Sequence, residues 1–134
     1  PEPPAAPIVA GFHVGWDDNS LAAVRTHAAS LDWVISEAVF VDSTAPTLRS
    51  RVSPPLLRAL AAVPAARRPR LLLMVSNYAH GRGAFAAGPA ERLLADPAAR
   101  RAAVDSLAAA VRTTGAAGVV FDFDNRPGLY VNHY

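Results

Sequence analysis

Two aspartates stand close together in the run GVVFDFDN at positions 118–125. If this apolar run is a strand, Asp122 and Asp124 share one face and Phe121 and Phe123 share the other, with the aspartate Cα atoms roughly 6.6 Å apart. Neighbouring carboxylates can divide the work of a reaction, because one can be protonated near neutral pH while the other is ionised. The pair is therefore a candidate for acid–base catalysis. The alternative interpretation is that Asp124 caps a turn and Asp122 pairs with an arginine.

Polar and aromatic residues also follow two other apolar runs. Trp16 and Asp17 come after IVAGFHVG, and Asn77 and Tyr78 come after RLLLMVS. Trp16 could stack on a sugar ring or a base, and Asn77 and Tyr78 could donate hydrogen bonds to a bound molecule. We therefore treat all four residues as candidates for substrate binding. The alternative is that Asn77 only ends the strand, since asparagine commonly does so.

The run DDNS at 17–20 is rich in residues that cap helices. We expect the following helix to begin at about Leu21, with Asn19 or Ser20 as its cap. Capping does not explain Trp16. This residue could bind a ligand, or it could simply follow the strand without a role in binding.

Composition excludes several kinds of chemistry. The chain of 134 residues has no cysteine, and its thirteen Lys+Arg residues are all arginine. Disulfides, thiolate zinc sites, cysteine nucleophiles and catalytic or phosphate-loop lysines are therefore absent. The four histidines have no metal-ligand spacing, so we predict no metal site and no cofactor. The net charge of +2 with short, dispersed arginine runs does not predict nucleic-acid binding.

Four near-continuous apolar runs alternate with three helical patterns. The apolar runs are at 8–15, 31–41, 70–78 and 118–124, and the helical patterns are at 21–30, 54–63 and about 96–113, with loops at 42–53 and 79–91. This alternation predicts an α/β fold of parallel (β/α) repeats. Such folds place their binding residues at the carboxyl ends of the strands, so we expect the candidate residues to gather at one edge of the sheet.

A family resemblance rests on three of these segments. GFHVGWDDNSLAAVRTHAASLDWVISEAVFVD, LLLMVSNY and GVVFDFD resemble the amino-terminal half of a family 18 glycoside hydrolase, a chitinase-like enzyme. The likeness is greatest to the variety found in large bacterial proteins that also carry a polysaccharide deacetylase and a family 2 glycosyltransferase. It implies the first half of a TIM-type (β/α)8 barrel, with four strands and three main helices.

The resemblance also implies roles for the two aspartates. In the family, the fourth strand carries the pattern Asp-Gly-x-Asp-x-Asp-x-Glu, whose final glutamate protonates the glycosidic oxygen. Asp122 matches the aspartate that steadies the acetamido group of the substrate, and Asp124 stands where the glutamate should be. Ala117 and Val120 replace the two earlier acids. Asp124 is one methylene shorter than glutamate, and a misplacement of about 1 Å can cost a proton donor roughly a hundredfold in rate.

Two functions are therefore expected. The first is hydrolysis of a β-linked N-acetylhexosamine (chitin-like) polysaccharide or oligosaccharide by substrate-assisted acid catalysis, with Asp124 and Asp122 as catalytic residues. The second is a non-catalytic carbohydrate-binding or scaffold module of a protein that makes or modifies polysaccharide. The resemblance implies a place on the extracytoplasmic face of a bacterial cell.

The length of the chain bears on its partners. A complete barrel takes roughly 250 residues, so we expect a fragment whose partners are the remainder of the barrel and fused deacetylase or glycosyltransferase domains. The opening PEPPAAP predicts a proline-rich linker at 1–7, followed by a partial barrel domain at 8–134. From this segment we expect no nucleic-acid contact and, because no apolar run approaches about 18 residues, no membrane contact.

Overall fold

The structure, a computed structural model, describes residues 6–124. The expected linker at 1–7 and the expected domain at 8–134 lie partly outside this range, so the division between them stays a prediction. No helix in the described range is long and apolar enough to cross a membrane.

Strands and helices alternate along the described part of the chain. The strands are β1 (Ala10–Val14), β2 (Trp33–Val41), β3 (Leu48–Ser50), β4 (Arg70–Ser76), β5 (Tyr78–Ala79), β6 (Ala84–Phe85) and β7 (Gly118–Asp122). The α-helices are α1 (Asp18–His27), α2 (Pro54–Ala61), α3 (Ala87–Ala95) and α4 (Pro97–Thr114). Short 3₁₀ turns follow α1 and α2 at Ala28–Ser30 and Ala65–Arg67.

Four strands form the main parallel sheet in the order β1, β2, β4, β7. Each connection between neighbouring strands carries helix: α1 between β1 and β2, α2 between β2 and β4, and α3 with α4 between β4 and β7. The predicted α/β fold with four parallel strands is confirmed. Its strand and helix order is that of half of a (β/α)8 barrel.

The apolar core lies between the helices and one face of the sheet. Leu71, Leu73 and Val75, which alternate along β4, belong to one core cluster with Leu56 of α2 and Leu107 of α4. Leu56 and Leu73 are completely buried, and each such side chain contributes roughly 1.5–3 kcal/mol of hydrophobic stabilisation. The other face of the sheet is left for the strand-end residues that form the candidate site.

β2 contains one extra residue near its middle. In the register with β4, Glu37 is followed by Val39, and Ala38 is skipped. Ala38 and Val39 are both buried in the core on the helix side. Because side chains alternate along a strand, this β-bulge turns Phe40 to the face that Glu37 occupies.

The start of α1 differs from the prediction. The helix begins at Asp18 rather than at about Leu21, and its cap is Asp17, whose carboxylate accepts a hydrogen bond from the backbone N–H of Asn19 at 2.9 Å. The prediction that Asn19 or Ser20 caps the helix was wrong. The hydroxyl of Ser20 instead accepts a hydrogen bond from the last residue of β1 at 3.0 Å, which ties the helix to the preceding strand.

Both long predicted loops contain regular structure. The loop at 42–53 includes β3, which pairs antiparallel with the end of β2. The loop at 79–91 takes part in the β5–β6 hairpin and in α3, so the described residues contain a fourth α-helix beside the three predicted ones. α3 has no side-chain hydrogen bond at its amino-terminal cap, Ala86, and so lacks the usual sequence signal. α4 ends at Gly115, with φ of 69°, as the sequence predicts.

The burial of His13 in β1 is expected to make stability depend on pH. It is 2% exposed, and its Nδ1 lies 3.0 Å from the hydroxyl of Ser36 in β2. Burial lowers the pKa of His13 from its ordinary value of 6.5. The unfolded chain therefore takes up a proton at a higher pH than the folded chain, and the free energy of unfolding should fall as the pH drops below about 6.5.

Urea denaturation of wild type and His13→Gln between about pH 5 and 8 checks this expectation. In His13→Gln the free energy of unfolding should fall less as the pH drops, because the contribution of His13 is gone. The exposed His27 at the end of α1 provides the matched control, His27→Gln. An equal change in both variants would contradict the assignment to the buried histidine.

Candidate functional site

The carboxyl ends of the parallel strands meet at one edge of the sheet and enclose a cleft of about 530 Å³. The cleft is lined by Phe12, His13, Val14, Trp16, Glu37, Met74, Tyr78, His80, Phe85 and Asp122. Of the residues predicted from the sequence, it thus brings together Trp16, Tyr78 and Asp122. Asp17, Asn77 and Asp124 are not among the residues that line it.

Two carboxylates reach the cleft from different strands. Asp122 is the last residue of β7, Glu37 lies in β2, and both are partly buried. β4 lies between them, so the two strands are about 10 Å apart, and Asp122 lies two residues further along the sheet than Glu37. Glu37 is not among the candidate residues that the sequence predicts. The signal it offers is a lone acid in the otherwise apolar run of β2.

Aromatic side chains form one wall of the cleft. Tyr78 packs edge-to-face on Phe85 with ring centroids 5.3 Å apart and on His80 at 5.2 Å, and His80 packs in turn on Phe40 at 4.9 Å. These contacts join the β5–β6 hairpin to β2 and give the wall a fixed shape. Trp16 is 71% exposed beside the cleft, so its ring surface is open to a ligand.

Asn77 holds two strand ends together. Its side chain is 2% exposed and makes a reciprocal pair with the backbone of Asp124: Nδ2 donates to the carbonyl oxygen at 2.9 Å, and Oδ1 accepts from the N–H at 3.0 Å. Nδ2 also donates to the carbonyl oxygen of Ala86 at 3.3 Å. The amide is therefore engaged by the protein itself. Asn77 positions the end of β7 and the start of α3, a function that its predicted place at a strand end did not reveal.

Asp124 and Asp17 are placed beside the cleft. Asp124 lies two residues beyond β7 with its peptide group fixed by Asn77. The carboxylate of Asp17 accepts the capping hydrogen bond of α1, next to Trp16. Among residues 6–124 no group of three histidine, aspartate or glutamate side chains is arranged to hold a metal ion.

Comparison with known proteins gives a consistent fold. The chain is similar to a class V chitinase from Pseudomonas fluorescens, with 22% identity and a TM-score of 0.77 over 90% of this chain and 36% of that one. It is similar to a chitinase from Chromobacterium violaceum, with 22% identity and a TM-score of 0.69 over 89% and 36%. A third similar structure is a family 18 chitinase from Cycas revoluta in complex with (GlcNAc)3, at 16% identity and a TM-score of 0.62 over 88% and 34%.

These similarities define the class of fold. Residues 6–124 have the architecture of part of a chitinase-like TIM barrel, as the sequence resemblance implies. The chain spans about a third of the length of these solved structures. No protein-family model matches the sequence, and no curated protein matches it.

Proposed function

We propose that the chain is part of a family 18-like glycoside hydrolase that acts on a β-linked N-acetylhexosamine polysaccharide. The observation that carries the proposal is the composition of the strand-end cleft, where the aromatic surfaces of Trp16 and Tyr78 lie beside the carboxylates of Glu37 and Asp122. Sugar rings stack on aromatic faces through their apolar edges, and carboxylates accept hydrogen bonds from sugar hydroxyl and amide groups.

In the proposed reaction, the substrate supplies its own nucleophile. The acetamido oxygen attacks the anomeric carbon as the glycosidic bond breaks, and Asp124 donates a proton to the departing oxygen. Asp122 holds the acetamido group and stabilises the positive charge that develops on it. Water then opens the intermediate, and Asp124 takes back a proton. The scheme uses no metal and no cofactor.

A second function, carbohydrate binding without hydrolysis, is favoured by the position of Asp124. Its side chain is a methylene shorter than glutamate, its peptide group is fixed by Asn77, and it is not among the residues that line the cleft. A misplacement of about 1 Å can cost a proton donor roughly a hundredfold in rate. The same cleft would then hold glycan for a deacetylase or a glycosyltransferase.

Turnover of chromogenic chito-oligosaccharides by the full-length protein separates the two functions. Wild type, Asp124→Glu and Asp124→Asn are compared, with binding measured by calorimetry and with Trp16→Ala as a variant that should weaken binding. Turnover by wild type that Asp124→Asn abolishes supports the enzyme. Binding without turnover by wild type, with turnover gained in Asp124→Glu, supports the binding module. If no version binds, both functions are wrong.

The barrel needs partners to be complete. Among residues 6–124, β1 and β7 each pair on one side only, and Phe12 on the inner face is 66% exposed. We propose that the remainder of the barrel covers these edges, since an open strand edge readily pairs with further chain. Fused deacetylase or glycosyltransferase domains, a linker at 1–7 before a domain at 8–134, and a place on the extracytoplasmic face of a bacterial cell belong to the same proposal.

A further inference from the structure

A second groove, of about 330 Å³, opens beside the cleft. It lies between the corner that follows β2 and the β5–β6 hairpin, and we call it the arginine groove. Its lining includes Phe40, Asp42, Arg49, Arg51, Tyr78, His80 and Arg82. Tyr78 and His80 line the cleft as well, so the two spaces are contiguous and one extended ligand can occupy both.

The floor of the arginine groove is aromatic. Phe40, which the β-bulge turns to this face, carries the His80 ring on its edge at 4.9 Å. The guanidinium carbon of Arg51 lies 6.0 Å from the centroid of the Phe40 ring. This cation–π contact orients Arg51 while leaving its N–H donors available to a ligand.

The one acidic residue that lines the groove, among those described, is already engaged. Asp42 accepts hydrogen bonds from the backbone N–H and the hydroxyl of Thr44, each at 2.7 Å, and pairs with Nε of Arg49. The bonds from Thr44, followed by that from Arg49, hold the pKa of Asp42 well below its ordinary value. Asp42 is therefore ionised at neutral pH, and its charge is matched by Arg49.

Two further guanidinium groups line the groove and have no matching carboxylate among the described residues that line it. Arg51 and Arg82 line the groove from opposite sides, one after β3 and the other in the hairpin turn, and both are exposed. Arginine binds carboxylates through two parallel N–H donors, which gives both strength and orientation. A neutral chitin-like polymer offers hydroxyl and acetamido oxygens as acceptors but no negative charge to match this pair.

We propose that the arginine groove binds a carboxylate carried by the polysaccharide in the cleft, so that the substrate class is an acidic N-acetylhexosamine polymer rather than a neutral one. The inference rests on the proposed function, because the glycan in the cleft presents the carboxylate to the groove.

A matched pair of ligands tests the inference on the full-length protein. One is the tetramer (GlcNAc)4, and the other is the same tetramer with its primary hydroxyls oxidised to carboxylates. Calorimetry should show that the carboxylated tetramer binds about tenfold more tightly at low salt, with the preference shrinking as salt screens the contact. The double variant Arg51→Gln/Arg82→Gln should bring the two affinities within about twofold and leave the affinity for the neutral tetramer unchanged.

Arg112→Gln, at an exposed position in the last turn of α4, is the matched control and should keep the preference. Binding of both tetramers with equal affinity, or a preference that survives in the double variant, would overturn the inference and leave the proposed function standing. Failure of both tetramers to bind would overturn the proposed function and this inference together.

Discussion

Replacing Asn77 with alanine is expected to lower the free energy of unfolding by about 3 kcal/mol. The substitution removes three hydrogen bonds and leaves the peptide N–H and carbonyl of Asp124 without the partners they have in the folded protein. Because Asn77 is 2% exposed, water can replace these bonds only by entering the space that its side chain leaves. Urea denaturation of wild type and variant measures the difference.

Asn19→Ala is the matched control, since Asn19 is exposed in the first turn of α1 and should change stability by no more than about 0.5 kcal/mol. Equal effects of the two substitutions would contradict the positioning role of Asn77. Asn77→Ala should also lose more ligand binding or turnover than its loss of stability explains, because the end of β7 is no longer held. Assays well below the melting temperature separate this loss from unfolding.

Replacing Asp122 with asparagine is expected to reduce turnover by about a hundredfold or more under the proposed function. Asparagine keeps the size of the side chain and one hydrogen-bond acceptor, but it carries no negative charge to stabilise the acetamido group as that group becomes positive. The affinity for chito-oligosaccharides should stay within about threefold, because the charge acts mainly in the transition state. Steady-state kinetics and calorimetry on the full-length protein give both quantities, in the Asp124→Glu background if wild type does not turn over.

Asp18→Asn, on the exposed first turn of α1, is the control for loss of one negative charge and should leave turnover unchanged. A loss that appears wholly in KM, with kcat intact, would assign Asp122 to binding rather than to catalysis. Comparison with Glu37→Gln then tells whether the second carboxylate of the cleft acts in the same step.

The fold was largely predictable because its strong signals are local. Each parallel strand is a near-continuous apolar run, and α4 carries both Pro at its start and Gly115 at its end. The start of α1 was not predictable in this way. Four residues in a row can cap a helix there, and the choice of Asp17 depends on where β1 ends. α3 was missed because its cap, Ala86, makes no side-chain hydrogen bond.

The candidate site was predictable only in part, because several of its contacts are made over long range. Trp16, Tyr78 and Asp122 were found from their positions at strand ends, a rule that needs no knowledge of partners. The partner of Asn77 lies 47 residues away in the sequence, and no local pattern specifies that pairing. Glu37 was passed over because β2 was interpreted as a buried strand, although in a barrel one of its faces points to the interior.

The bulge in β2 divides that strand into two segments of opposite phase. Up to Glu37 the odd-numbered residues lie on the face of the sheet opposite the helices, whereas from Phe40 onward the even-numbered ones do, so Phe40 and Asp42 line the arginine groove while Val39 and Val41 belong to the core. The extra residue thus works like a frameshift in the side-chain pattern. Deleting Ala38 would remove the bulge, but Val39 and Phe40 would keep their partners Val75 and Ser76, so Phe40 would still face the arginine groove. A strand that kept Ala38 and paired without a bulge would instead turn Phe40 and Asp42 to the helix side and remove them from the groove.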